Sequence, residues 1–225
     1  MERQFDEELK ALKEKLLRMA GLAEESIAKA VRALKDRNEA LLSQVLEQEE
    51  RINLIEIEID EVCLRLLALR QPMAGDLRFV TSAMKIASEL ERIGDQAVNI
   101  AERTTELLKV AQLKPLIDLP RMAGLAQAMV VDAINAFVNR DADLARGICE
   151  RDDEVDQLNH QIFRELLTYM MGDAATIPRA VELMLIGRHL ERIADHATNI
   201  GEDVVYLVKG KSVKHHIEER GCRTS

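Results

Sequence analysis

The segment ELERIGDQAVNIAE (89–102) recurs as HLERIADHATNIGE (189–202), with nine of fourteen positions identical at an offset of 100 residues. A 225-residue chain that repeats itself at that distance is built to fold as two copies of one unit. The period far exceeds the roughly 20–50 residues of a stacked solenoid repeat, so each copy must bury a core of its own. The apolar spacing inside the copies is helical. Phe5, Leu9, Leu12, Leu16, Met19 and Ala23 alternate steps of four and three, and Ile52, Ile55, Ile59 and Leu66 share one face of the next run. Alternating β-branched runs bounded by tight turns, the mark of strands, do not occur.

Polar turns at KDRN (35–38) and NRDAD (139–143), with breaks at RQPMAGD (70–76) and MGDAATIP (171–178), divide each copy into three runs. Each run is about 30 residues, or ~45 Å as a helix. LKPLIDLP (113–120) holds two of the four prolines and reads as the junction. Asp76 and Asp118 are the expected N-caps of the third and fourth helices. The expected fold is all-α, two tandem three-helix bundles over 1–112 and 118–210, followed by a loosely ordered tail at 211–225.

Composition narrows the function. Aromatics are 3% with no Trp, so the core has to be aliphatic. Forty acidic against 31 basic residues give a net charge of −9, which argues against a nucleic-acid partner and for cations. Cys63, Cys149 and Cys222 form no CxxC pair, as expected in a reducing compartment. MERQFDEELK is too charged for a secretory signal and no apolar run approaches the ~18 residues of a membrane span. The expectation is a soluble, cytoplasmic protein. No phosphate-binding glycine loop, nucleophile elbow or dinucleotide fingerprint is present, so an enzyme is not expected.

The repeated phrase is acidic along one stripe. At 100° per residue, Glu91, Asp95, Asn99 and Glu102 fall at roughly 0, 40, 80 and 20°, bordering the apolar face of Leu90, Ile93, Gly94, Ala97 and Ala101. Glu191, Asp195, Asn199 and Glu202 repeat the arrangement. Carboxylates at i and i+4 repel, and something positive should compensate them. The preceding helices offer matching ladders: Glu49, Asn53, Glu56 and Asp60 in the first copy, Asp152, Asp156 and Asn159 with His160 in the second. Packed antiparallel, such ladders converge into a groove of carboxylate and amide oxygens. That donor set suits divalent or trivalent cations: Mg²⁺, Mn²⁺, Ca²⁺, or iron where carboxylates bridge, with multinuclear clusters within reach. The competing reading is a solvated acidic face with Arg92 and Arg192 as exposed neighbours. His189 and His196 read as surface histidines, and His215 and His216 belong to the tail.

Taken together, RQPMAGDLR (70–78), ELERIGDQAVNIAE and HLERIADHATNIGEDVVYLVKGK (189–211) resemble the PhoU family of phosphate-signalling and phosphate-transport regulators, over residues 1–210. The resemblance implies two three-helix bundles related by a pseudo-twofold axis. It also implies metal clusters held by E/DxxxD motifs in some members, here Glu91/Asp95, Glu191/Asp195 and Asp152/Asp156. The first copy departs from the pattern, because Glu49 is followed at the fourth place by Asn53. The resemblance further implies a cytoplasmic protein, often a homodimer, peripheral to the membrane. There it restrains the phosphate-starvation response through a sensor histidine kinase and the ATPase subunit of the phosphate transporter. Two alternatives stand beside it: a purely structural helical scaffold, and a ferritin-like carboxylate-bridged di-iron enzyme. The latter needs Glu-x-x-His on two helices, but Gly94 and Ala194 stand three residues after Glu91 and Glu191.

Overall fold

The computed structural model describes residues 2–210. Six long helices account for them: α1 (Glu2–Asp36), α2 (Ala40–Arg70), α3 (Ala74–Leu108), α4 (Asp118–Asn139), α5 (Ala142–Gly172) and α6 (Ile177–Lys209). A single 3₁₀ turn, Ala174–Thr176, separates the last two. No strand forms among the described residues.

The turns reveal the repeat at the level of backbone. After α1, Arg37 takes a left-handed φ of 51°, and Asn38 N–H reaches back to Ala33 O at 3.0 Å. After α4, Arg140 does the same at 54°, and Asp141 N–H reaches Ala136 O at 2.8 Å. Such 6→1 closures satisfy carbonyls that a helix end leaves unpaired. Asn38 then accepts from Ala40 N–H, and Asp141 from Asp143 and Leu144 N–H, so the following helices start alike.

Helices α1–α3 form one bundle and α4–α6 the other, joined along a long α3–α6 seam and a shorter α1–α4 contact. The core is aliphatic, as the composition demands: Leu12, Leu16, Ile27, Ile52 and Ile59 in the first bundle and Ile148, Leu166, Ile186 and Leu190 in the second are fully enclosed. The exception lies between the bundles, where Phe79 of α3 stacks on Phe137 of α4 with centroids 5.0 Å apart. The linker is tied down by Lys114, whose buried ammonium pairs with Glu165 of α5.

Three local expectations need correction. Asp76 is not the cap of α3: Met73 occupies that position, and Asp76 lies within the first turn, where its charge still favours the helix dipole. Asp118 is the first residue of α4 rather than its cap, and its carboxylate accepts from Gln161. Finally, α4 is long and apolar enough to cross a membrane by length and composition. Here Met122, Ala126, Met129, Val130 and Ala133 instead line the second core. The tail expected at 211–225, with His215, His216 and Cys222, lies outside the described residues.

Candidate metal centre

In the first bundle, α2 and α3 bring Glu49, Glu56, Glu91 and Asp95 together. Burial pushes the Glu91 carboxyl above the usual carboxylate range, and the charges of Asp95, Glu56 and Glu49 push it further, against the pull of Arg92. Glu56 is raised by burial and then by Asp60 and Asp95, and Asp95 by burial and then by Glu49. Asn53, the departure from the acidic ladder, donates its Nδ2 to Glu49 Oε1. Its Oδ1 is buried and accepts nothing. An amide oxygen in that condition costs on the order of 1–3 kcal/mol unless something fills it.

The second bundle repeats the arrangement with different supports. Asp156 of α5 is raised by burial and by Asp195, and Glu191 of α6 by burial and by Asp156 and Asp195. His160 eases both. Asn159 donates to Glu191 Oε2 at 2.7 Å, and it does so by pressing on the α6 backbone: a Cβ at Gly187 would lie 2.7 Å from Asn159 Oδ1. Glycine is therefore required at 187 for this amide to sit where it does.

These groups are hard oxygen donors, and their raised pKa values report burial first and then the negative charge of their neighbours. The orphaned Asn53 Oδ1 adds a neutral ligand. The donor set fits a hard cation. Among the described residues, however, no three Asp, Glu, His or Cys groups converge tightly enough to hold an ion, so the acids form an open stripe rather than a finished cage.

The profile of the PhoU domain matches the chain twice, over residues 16–104 and 119–204, once in each bundle. The chain belongs to the PhoU family. It is 44% identical over 95% of its length to the phosphate-specific transport system accessory protein PhoU homolog of Aquifex aeolicus, covering 97% of that protein. Identity to the PhoU accessory protein of Escherichia coli strain K12 is 36%, over 94% of this chain and 88% of that one. The crystal structure of PhoU from Pseudomonas aeruginosa superposes with a TM-score of 0.88 at 42% identity, covering 92% of this chain and all of that one. The regulatory protein PhoU from Streptococcus pneumoniae gives 0.85 at 34% identity, covering 93% of this chain and 99% of that one.

Within this PhoU fold the remaining candidate residues lie one or more turns along their helices from the raised carboxylates, or across the seam between α3 and α6. Glu102 and Glu202 stand eleven residues, ~16 Å, along their helices from Glu91 and Glu191, too far to share an ion with them. Glu102 is exposed and its charge reaches His189. Asn199 donates to Glu89 Oε2 across the α3–α6 seam at 3.1 Å. Asn99 and Glu202 are half-buried. Asp152, one turn before Asp156, is half-buried and engaged with a partner.

The histidines are the clearest departure from the sequence reading. His196 Nδ1 lies 2.7 Å from Glu89 Oε2, and His189 Nδ1 lies 2.9 Å from Gln96 Oε1. Both therefore sit in the α3–α6 seam rather than on open surface. Positions 89 and 189, and 96 and 196, are related by the offset of 100, so these are the two pseudo-symmetric halves of one contact. The offset of 100 equates these positions in the sequence, but only the packing of α3 on α6 shows that they touch. Burial holds His189 toward its neutral form, with Arg192, Arg103 and Arg188 acting in the same sense and Glu102 against.

Proposed function

We propose that this chain is a non-enzymatic accessory of a phosphate-specific transport system that restrains phosphate uptake and the phosphate-starvation response. In this reading it is an adaptor at the cytoplasmic membrane face, linking the transporter's ATPase subunit to a sensor histidine kinase. Two acidic stripes take up divalent or trivalent cations. What supports the transport role is the near full-length similarity to proteins named as phosphate-specific transport accessory proteins. What supports the cation sites is the raised carboxyls of Glu56, Glu91 and Asp95 beside the orphaned Asn53 Oδ1, repeated by Asp156 and Glu191.

Glu49, Asn53, Glu56, Glu91 and Asp95 would hold a cation in the first bundle, and Asp156, Glu191 and Asp195 in the second. A bound cation supplies positive charge that neutralises the stripe and presents a site for anions. With a net charge of −9, the chain alone is a poor phosphate binder. A scaffold whose acids are merely solvated is the second reading, favoured by the open geometry of the stripes.

The deciding experiment pairs elemental analysis with genetics. Protein purified without chelator or tag should carry metal, and the variant Glu91→Gln, Asp95→Asn, Glu191→Gln, Asp195→Asn should lose most of it with helix content intact. Deleting the gene should switch on starvation genes in abundant phosphate. Equal metal content in wild type and variant would remove the cation sites, and normal repression in the deletion strain would remove the regulatory role.

A further inference from the structure

The outer edge of the α3–α6 seam carries positive charge in an otherwise acidic molecule. Around each helix, with Glu91 or Glu191 as origin, the acid stripe occupies roughly 0–40°. The seam contacts Glu89, Gln96, His189 and His196 fall at roughly 140–160°. On the shoulder between, at roughly 60–100°, stand Arg92 of α3 and Arg188 and Arg192 of α6, all three exposed.

The register of the seam brings these three together. His196 meets Glu89 and His189 meets Gln96, so the pseudo-twofold axis passes between residues 92 and 93 of α3 and between 192 and 193 of α6. Arg92 and Arg192 therefore flank that axis within about 1.5 Å of one level, on helices roughly 8–10 Å apart. Arg188 follows one turn away on the same shoulder. Arg92 is shared with Glu89 of its own helix at 3.5 Å, whereas Arg188 and Arg192 form no ion pair with another described residue. Arg188 eases Glu191, but burial, Asp156 and Asp195 outweigh it. Farther along the seam the cations are matched, Lys85 by Asp203 and Arg103 by Glu182. Unmatched positive charge is thus confined to the axis, where like charges one turn apart repel.

The surroundings define what can sit there. A membrane surface or a nucleic acid laid across the seam would press its phosphates against Glu91 and Asp95 on one side and Glu191 and Asp195 on the other. A small tetrahedral oxyanion fits between the two acid stripes, and guanidinium forks match its oxygens two at a time. Gln96, only 7% exposed, is engaged through Oε1 with His189 and keeps Nε2 as a donor with no protein partner. We infer that Arg92, Arg188 and Arg192 form a direct binding site for a phosphate-type oxyanion on the pseudo-twofold axis, to which both halves of the repeat contribute. The net charge of −9 opposes any anion, so binding is weak, in the millimolar range. The site needs no cation in the acid stripes, and the inference does not rest on those stripes or on the transport role.

Titrating the metal-free full chain with inorganic phosphate, in chelator and at constant ionic strength, tests the site apart from the cation sites. The wild type should bind with a Kd of about 1 mM, and about 10 mM phosphate should raise its melting temperature by about 3–6 °C over chloride. Arg188→Gln with Arg192→Gln should weaken binding at least about tenfold and abolish that shift, with helical circular dichroism unchanged. Arg121→Gln with Arg146→Gln removes the same charge from exposed positions on α4 and α5, and should bind as the wild type does. A wild type that binds no phosphate in chelator overturns the proposal. So does a melting shift equal in all three proteins, which reports general salt exclusion, or a control variant that loses binding as well. Binding to phosphatidylcholine–phosphatidylglycerol vesicles that Arg188→Gln with Arg192→Gln removes would assign the arginines to a lipid surface and overturn it too.

Discussion

Glu89 shows how a single buried acid is managed in this fold. Burial alone would raise its carboxyl, but hydrogen bonds from His196 and Asn199 outweigh that and hold it below the usual range. Replacing His196 by Ala leaves a poorly solvated carboxylate with only the Asn199 amide and the Arg92 guanidinium at 3.5 Å, and should cost on the order of 1–3 kcal/mol in denaturant unfolding at neutral pH. A group with a lowered folded pKa stabilises above its unfolded value and loses that as pH falls through the folded one. The gap between wild type and His196→Ala should therefore narrow below the ordinary carboxylate range. Glu56, Glu91, Asp95, Asp156 and Glu191 have the opposite sign. Between their ordinary and raised values the folded state binds more protons, so stability falls as pH rises through that window. Chelator-treated protein should melt higher near pH 5 than at pH 7, and the four-amide variant should lose most of that slope. The acid stripes were legible from the helical wheel because they involve neighbours on one helix. The Glu89–His196 pair was not, since a wheel shows where a side chain points but not which helix it meets.

At the scale of elements, the two bundles are similar but not equivalent. Gly201 of α6 approaches α5 so closely that a Cβ would lie 3.0 Å from Ala145 O, whereas its counterpart on α3 is Ala101. A backbone carbonyl cannot swing aside as a side chain can. Gly201→Ala should therefore destabilise by about 1–3 kcal/mol despite the better helix propensity of alanine, read as a lower urea midpoint. Helix extents were legible to within a few residues, because Pro72, Gly75, Pro115 and Pro178 punctuate strong 3.6-residue patterns. The caps were less so. Met73 and Ile117 hold the N-cap positions of α3 and α4 without a side-chain bond, and the residue types that usually mark a cap sit one to three places later.

For the whole molecule, cation binding and folding are linked. Metal bound only by the folded state should raise the melting temperature of the wild type, and should leave the four-amide variant unmoved. In chelator, wild type should melt no higher than that variant, because its carboxyl pairs repel without compensation. A variant that melts far lower in chelator would make these acids structural acceptors. The repeat was written openly in the sequence, and with it the two bundles. What joins them was not: the Phe79–Phe137 stack and the α3–α6 seam depend on how one bundle turns against the other, which no local pattern encodes.

That seam carries an implication for the chain's construction. The two halves meet along their longest helix contact, through pairs that swap roles under the offset of 100, while the covalent crossing is a short stretch pinned at Lys114. Such a molecule is in effect a dimer of halves, with a tether that only raises their local concentration. Separately encoded, segments 1–112 and 113–225 should find one another and co-purify as a noncovalent pair. Neither half should be soluble alone, since each would expose the apolar margin of α3 or α6 that the other now covers.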